Sequence, residues 1–330
     1  MRSVKLGNTN LNVTPFCLGT MMFGGKTDAA ESDKVIRGAI DGGVNFIDTA
    51  DMYTGGDSEK IIGKTLKESG LRDRVVLASK GAIKIGDGLN DVGASRYHLV
   101  RALEGSLERL QTDRIDIYYI HWPQEAMNLE ETLRTLDDMV RQGKILYPAC
   151  SNFPAWLAVE AKRIADLGGY APFVCGQYPY NLIERGLDVE VLPMAKALGF
   201  GITCYRPLCL GTLTGKYLDG VPESARGQKD ERAVNWSEKY AEGIAKMKTF
   251  AEERGYTAAD AANAWVASHP YVTSPIVGVS RMEQLEKNLK GFEWEMTAEE
   301  REEISSFFPT EVWEEGGGQF PNWRRRYDIK

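Results

Sequence analysis

Short apolar runs alternate with longer amphipathic stretches along almost the whole chain. Residues 16–19, 45–47, 75–79, 116–121, 145–151, 174–177, 201–205 and 275–279 form runs dominated by β-branched, aromatic and other apolar side chains. Each is short enough to be a buried strand. Between them the apolar spacing changes to that of a helix. Over 32–41, Val35, Ile36, Ala39 and Ile40 share one face, and Gly42-Gly43 ends the pattern. Helices are likewise predicted over 95–110, 129–141, 154–167, 189–198, 237–254, 257–268, 282–289 and 297–308. One more starts near 58, with Asp57 or Ser58 as its N-cap. Thr257 with Asp260, and Thr297 with Glu300, have the spacing of capping boxes. Ahead of all this, 4–6 and 11–13 flank Gly7-Asn8-Thr9-Asn10, a hairpin signal.

Strands that alternate with helices pair in parallel through right-handed crossovers. Eight such units predict a closed (β/α)8 TIM barrel. The N-terminal β-hairpin and the additional C-terminal helices lie outside the repeat. The whole chain, 1–330, reads as one domain with a tail over 309–330. The rival is an open doubly wound sheet, which would carry G-x-G-x-x-G after its first strand if it bound a dinucleotide. That motif is not there. Gly63-Lys64-Thr65 has the ending of a P-loop, but Ser58 stands where the motif needs glycine. The connection over 207–236 is too long for a plain turn and reads as a functional loop.

Composition narrows the partners. The formal net charge of −7 argues against a nucleic-acid binder. Five cysteines with no C-x-x-C pair argue against a disulfide framework or a zinc ribbon, and most lie in apolar runs as small buried hydrophobes. No metal-ligating cluster stands out. No run reaches the roughly 18 apolar residues of a membrane span, and the first residues hold no apolar signal core. A cytoplasmic enzyme is expected, and monomer and homo-oligomer both fit.

The strand ends carry the chemistry. Asp48 closes the second strand, Tyr53 follows in the loop, Lys80 closes the third strand and His121 the fourth. In a barrel these ends meet in one bowl. A phenol is a weak acid, with an ordinary pKa of about 10. A nearby ammonium stabilises the phenolate and lowers that value. A carboxylate holds the ammonium charged and in place, and a histidine can polarise a carbonyl. This set suits protonation of an oxygen that is becoming an alkoxide. It contains no activated nucleophile, so the electron pair must come from a hydride carrier.

At this point the sequence resembles the aldo-keto reductases over nearly its whole length. The matching pieces are Asn45-Phe-Ile-Asp-Thr-Ala-Asp-Met-Tyr53, Ala78-Ser-Lys80, Ile120-His-Trp-Pro123, Ser151-Asn-Phe153, Gln177-Tyr178, Tyr205-Arg-Pro-Leu208, Gly211-Thr-Leu-Thr-Gly-Lys216, and Pro275-Ile-Val-Gly-Val-Ser280 with Gln284 and Asn288. The resemblance implies a (β/α)8 barrel that binds extended NADP(H) and reduces the carbonyl of aldehydes or ketones, sugars among them. It assigns a catalytic tetrad to Asp48, Tyr53, Lys80 and His121, with Tyr53 as general acid. It gives the carboxamide to Ser151, Asn152 and Gln177, and nicotinamide stacking to Tyr205. Leu208, Gly211, Leu213 and Lys216 would line the pyrophosphate. Gly278, Ser280, Arg281, Gln284 and Asn288 would hold the adenosine end. Arg281 can pair with a 2′-phosphate, which favours NADP(H) over NAD(H).

Trp122 would wall the substrate pocket. Two other readings share this resemblance: a potassium-channel regulatory subunit with slow turnover, and a sugar dehydrogenase running toward oxidation. Three departures from the family pattern stand out. Arg206 replaces a common serine and could bind cofactor, reach a charged substrate or pair with the scaffold. Lys287 stands where a glutamate often meets the adenine. Tyr147-Pro-Ala-Cys150 departs from the usual glycine- and valine-rich strand. Arg324-Arg325-Arg326 could recognise an anionic substrate or form a solvated basic tail.

Overall fold

The computed structural model describes residues 2–125, 127–218, 220 and 230–309. The predicted tail, with its three arginines, lies outside the described residues from 310 onward. The chain opens with β1 (Val4–Lys5) and β2 (Asn12–Val13), an antiparallel hairpin that pairs Val4 with Val13. Eight parallel strands then close into a barrel: β3 (Cys17–Gly19), β4 (Phe46–Asp48), β5 (Val76–Gly81), β6 (Ile115–Ile120), β7 (Ile145–Ser151), β8 (Cys175–Pro179), β9 (Gly201–Tyr205) and β10 (Ser274–Gly278). Strand order follows the sequence, and β10 returns to β3 with Ile276 opposite Cys17.

The strands read as unbroken apolar runs because both faces are covered. Cys17, Phe46, Val76, Ala78, Ile117, Tyr119, Ala149, Cys175 and Ile276 form one inner cluster. Their neighbours Leu18, Ile47, Leu77, Tyr118, Cys150 and Val277 join the larger cluster shared with the helices. The period of two along a strand sorts them. Leu6 and Val13 belong to the inner cluster, so the hairpin closes one end of the barrel. Asn8 N–H donates to the Gly199 carbonyl and Thr14 N–H to Asn45 Oδ1, next to the starts of β9 and β4. The plugged end is therefore the N-terminal one, opposite the strand ends expected to carry chemistry.

Six helices cover the barrel in sequence: α1 (Ala29–Asp41), α2 (Asp57–Ser69), α3 (Arg96–Leu110), α4 (Leu129–Arg141), α5 (Ala155–Gly168) and α6 (Val191–Leu198). The set is completed by α7 (Glu231–Lys239), α8 (Ala241–Glu252), α9 (Ala258–Ala267), α10 (Met282–Gly291) and α11 (Ala298–Ser306). Both predicted capping boxes form, at α9 and α11. Two expectations change. Helix α7 begins within the stretch read as loop, capped by Asp230, and the turn at Tyr240 separates it from α8. Ser58 does not cap α2; the left-handed Gly56 precedes that helix. The Ser58 hydroxyl is buried and donates to the Thr20 carbonyl at 3.0 Å. Helices α2 and α3 approach closely at Gly63, where a Cβ would lie 2.5 Å from the Arg109 carbonyl oxygen. No helix among the described residues is long and apolar enough to cross a membrane.

Candidate active site

Parallel register brings the strand ends together. Asp48 ends β4 opposite Ala78, Lys80 sits one residue before the end of β5, and His121 follows the last residue of β6. Tyr53 is not on a strand but opens the tight turn Tyr53–Gly56. Thr54, Gly55 and Gly56 all have positive φ there, at 47°, 64° and 94°. Glycine accepts this at no steric cost, and threonine does not. The Thr54 hydroxyl offsets its strain by donating to the Phe23 carbonyl at 2.6 Å, which fixes the turn and the phenol it carries.

Lys80 is fully buried and its Nζ donates three hydrogen bonds: to Asp48 Oδ1 at 2.5 Å, to the Thr49 carbonyl at 2.7 Å and to Tyr53 Oη at 3.0 Å. Asp48 is steadied on its other oxygen, which accepts from Gln177 Nε2 at 2.8 Å. Burial alone would discharge Lys80, but Asp48 and then Tyr53 outweigh it and raise its pKa. Tyr53 departs from the expectation of a lowered pKa. Burial raises it; Lys80 pulls it down, and Asp48 adds to the rise, so the phenol stays above its ordinary value. It therefore holds its proton at neutral pH. Burial, and then the Lys80 charge, push His121 well below the ordinary histidine value, so its imidazole is neutral. The Tyr53 and His121 rings meet edge to face at 6.0 Å. His121 Nδ1 is buried and has no hydrogen-bond partner among the described residues.

A second polar group, not foreseen from the sequence, lies behind the first. Glu59 is fully buried, accepting from Ser79 Oγ at 2.5 Å and from Arg109 Nε at 2.7 Å. Asp51 is buried with both carboxylate oxygens unpartnered among the described residues. Burial first, and the charge of Glu59 second, raise its pKa to about 7. Asp51 stands inside the motif that flagged Asp48 and Tyr53. Arg109, the cation of this group, comes from a distant helix and leaves no local signal.

The predicted cofactor residues occupy the same rim. Ser151 ends β7, Gln177 is in β8 and Tyr205 ends β9. Ser151 Oγ donates to the Gln177 carbonyl at 3.0 Å. Asn152, at φ 62°, donates to Ser151 Oγ at 2.8 Å and to the His121 carbonyl at 3.1 Å, and accepts from Tyr205 Oη at 2.8 Å. Ser151, Asn152, Gln177 and Tyr205 thus form one network that touches His121. Leu208 precedes the irregular turn Cys209–Thr214, in which Leu210 and Gly211 take left-handed φ of 59° and 93°. Leu213 is buried there, and Lys216 follows with its Nζ over the Tyr217 ring. Arg206, one of the three departures from the family pattern, pairs with buried Glu184 at 3.8 Å. Its guanidinium also lies over the Tyr205 ring, 5.2 Å from the centroid.

At the far end of the rim, Gly278 ends β10 with open space where a Cβ would point. Ser280 N–H and Oγ both donate to Gln284 Oε1, at 3.0 and 2.8 Å. Arg281 is exposed at the start of α10, and Asn288 lies further along that helix. Trp122 follows His121, half-buried. No group of three or more His, Cys, Asp or Glu that could hold a metal ion occurs among the described residues. All five cysteines are free and buried.

A barrel whose catalytic-type residues crowd the C-terminal rim is the arrangement of a (β/α)8 enzyme. The Aldo/keto reductase family profile matches residues 15–308. Over 318 residues the chain is 37% identical to a Bacillus subtilis protein named "Uncharacterized oxidoreductase YrpG", spanning 94% of this chain and 96% of that one. It is 31% identical to the aldo-keto reductase YhdN of the same organism, over 97% of each. It is 33% identical to the probable voltage-gated potassium channel subunit beta of Arabidopsis thaliana, over 88% of this chain and 90% of that one. The chain belongs to the aldo/keto reductase family of oxidoreductases, whose members generally use NAD(P)H.

Proposed function

We propose that this chain is a single-domain, NADP(H)-dependent reductase. It converts the carbonyl of aldehydes or ketones, sugars among them, into alcohols. The observation that carries this reading is the buried Lys80 ammonium that holds Asp48 and Tyr53 at once. Tyr53 gives its hydroxyl proton to the carbonyl oxygen, and Lys80 stabilises the phenolate that remains. Asp48 keeps Lys80 charged and Gln177 keeps Asp48 in place. His121 is uncharged and can donate an N–H to the same carbonyl oxygen without competing for the proton.

The residues on the rim fit a nicotinamide dinucleotide in their chemistry. Ser151, Asn152 and Gln177 supply amide and hydroxyl groups for a carboxamide, and Tyr205 a ring face. Leu208, Gly211, Leu213 and Lys216 would follow the pyrophosphate, with Lys216 as cation. Gly278, Ser280, Arg281, Gln284 and Asn288 would take the adenosine end. The cofactor, when bound, supplies the hydride. Trp122 offers the substrate an aromatic wall that serves a sugar ring or an aromatic aldehyde. Arg206, tied to Glu184, is assigned to shaping the wall beside Tyr205 rather than to contact with phosphate.

A second reading draws on the likeness to potassium channel beta subunits. There the barrel would serve as a cofactor-bound regulatory subunit. Steady-state turnover of an aldehyde, ketone and aldose panel with NADPH and NADH separates the two. Sustained turnover by the wild type, lost by about a hundredfold or more in Tyr53→Phe while NADPH still binds, supports the reductase. Oxidation of a single equivalent of bound NADPH with no further turnover would replace it with the regulatory reading.

A further inference from the structure

The start of α10 is where a cofactor 2′-phosphate would rest if the adenosine end lies as proposed above, and this inference depends on that reading. Backbone N–H groups at a helix start favour an anion, and Arg281 stands there as a cation. The structure already places an anion at that spot. Glu31 of α1 accepts the Met282 N–H on Oε1 at 2.9 Å. Its other oxygen lies 3.6 Å from Lys34 Nζ. On the other side of Arg281, Ser280 N–H and Oγ are committed to Gln284. The three donors flanking Arg281 are therefore all in use.

Glu31 is carried on a helix packed against α10. Helices α1 and α10 are in contact at Gly38, where a Cβ would fall 2.5 Å from Met282 Cε. Thr27 Oγ1, just before α1, donates to the Ser280 carbonyl at 3.3 Å and ties the same two segments. A 2′-phosphate arriving here must take the Met282 N–H from Glu31 or settle beside its carboxylate. Either way two anions share one helix start. A ribose 2′-hydroxyl meets the opposite situation, because it is neutral and can donate its proton to that carboxylate.

We infer that Glu31 is a specificity-determining residue that opposes the 2′-phosphate, offsets the attraction of Arg281 and admits NADH alongside NADPH. The charge effect sets the size. One carboxylate and one phosphate dianion about 5 Å apart, screened as in bulk water, repel by enough to change affinity about tenfold.

The test is the dissociation constant of each cofactor, read by fluorescence titration on the full chain, for wild type, Glu31→Gln and Arg281→Ala. Glu31→Gln keeps an oxygen for the Met282 N–H and removes only the charge. It should tighten NADPH about tenfold and leave NADH unchanged or weaker. Glu31→Ala, with its melting temperature measured alongside, should move the NADPH to NADH ratio the same way. If Arg281→Ala weakens NADPH selectively but neither Glu31 variant alters the ratio, the inference is overturned and the adenosine placement stands. Equal weakening of both cofactors by the Glu31 variants makes Glu31 a structural brace and also overturns it. If no variant at either position affects either cofactor, the adenosine end is not at α10, and the placement fails together with the inference.

Discussion

Replacing Lys80 by methionine tests the centre of the proposed site. The substitution keeps the length of the side chain and removes its charge. Lys80 Nζ is fully buried and makes three bonds, to Asp48, Thr49 and Tyr53. Its loss leaves the Asp48 carboxylate in the barrel with only the Gln177 amide against it. Removing one partner of a buried ion pair costs about 3–5 kcal/mol, because the other charge is stranded. For a chain of this size that is a melting temperature lower by roughly 4–7 °C. Turnover should fall by about a thousandfold, since the phenolate left by proton transfer loses its counter-charge. The double variant Asp48→Asn/Lys80→Met separates the two effects. It strands no charge, so about half or more of the lost stability should return while activity stays absent. The assays are thermal melts and steady-state reduction of an aldehyde at neutral pH. Folding raises the Lys80 pKa, so the stabilisation is complete at neutral pH and fades only as pH rises past the ordinary lysine range. A Lys80→Met protein that melts with the wild type and turns over within tenfold of it would refute the role given to this ammonium.

Two further substitutions probe the surroundings. Folding raises Asp51 from the ordinary carboxylate value to about 7, so between those values the folded chain holds a proton that the unfolded chain has released. Stability must then fall as pH rises through that window, by up to about 4 kcal/mol. Asp51→Asn should flatten this dependence and melt no lower than wild type at pH 8, and parallel pH profiles for the two proteins would contradict the burial argument. Gly63→Ala puts a Cβ 2.5 Å from the backbone of α3, which cannot yield as a flexible side chain can. The expected loss is about 1–3 kcal/mol, despite alanine's better helix propensity; a denaturant midpoint above wild type would show that the helices separate freely.

The barrel was legible because each strand is buried on both faces. Runs such as 75–79 and 116–121 then stand out without any partner in view. The capping boxes at Thr257 and Thr297 were legible because they are local. Helix α7 was not. Its cap, Asp230, sits in a charged run, and among its residues only Ala233 and Ser237 are buried. Asp48, Lys80 and His121 were visible at strand ends and Tyr53 in the loop after one, but the direction of the Tyr53 pKa was not. Sequence shows the neighbouring lysine and does not show how completely the phenol leaves water. The Asp51, Glu59 and Arg109 group escaped notice for a similar reason, since its charges meet only after α2 and α3 pack. The Glu184 beside Arg206 was equally invisible, because the two come from different loops and meet only in the folded rim.

The seam between β10 and β3 has a consequence for how the protein is made. Cys17 pairs with Ile276, so the first barrel strand waits for the last. At typical synthesis rates of about 5–20 residues per second, that wait lasts roughly 13 to 50 seconds. During it β3 has one unpaired edge, and the growing sheet offers a second at its newest strand. Unpaired edges recruit other chains. The hairpin waits too, because Asn8 and the inner residue Leu6 depend on segments around 174 and 199–201. Yield in a cell should therefore depend on how well nascent chains are kept apart, and a chain stalled before β10 should be the species that aggregates.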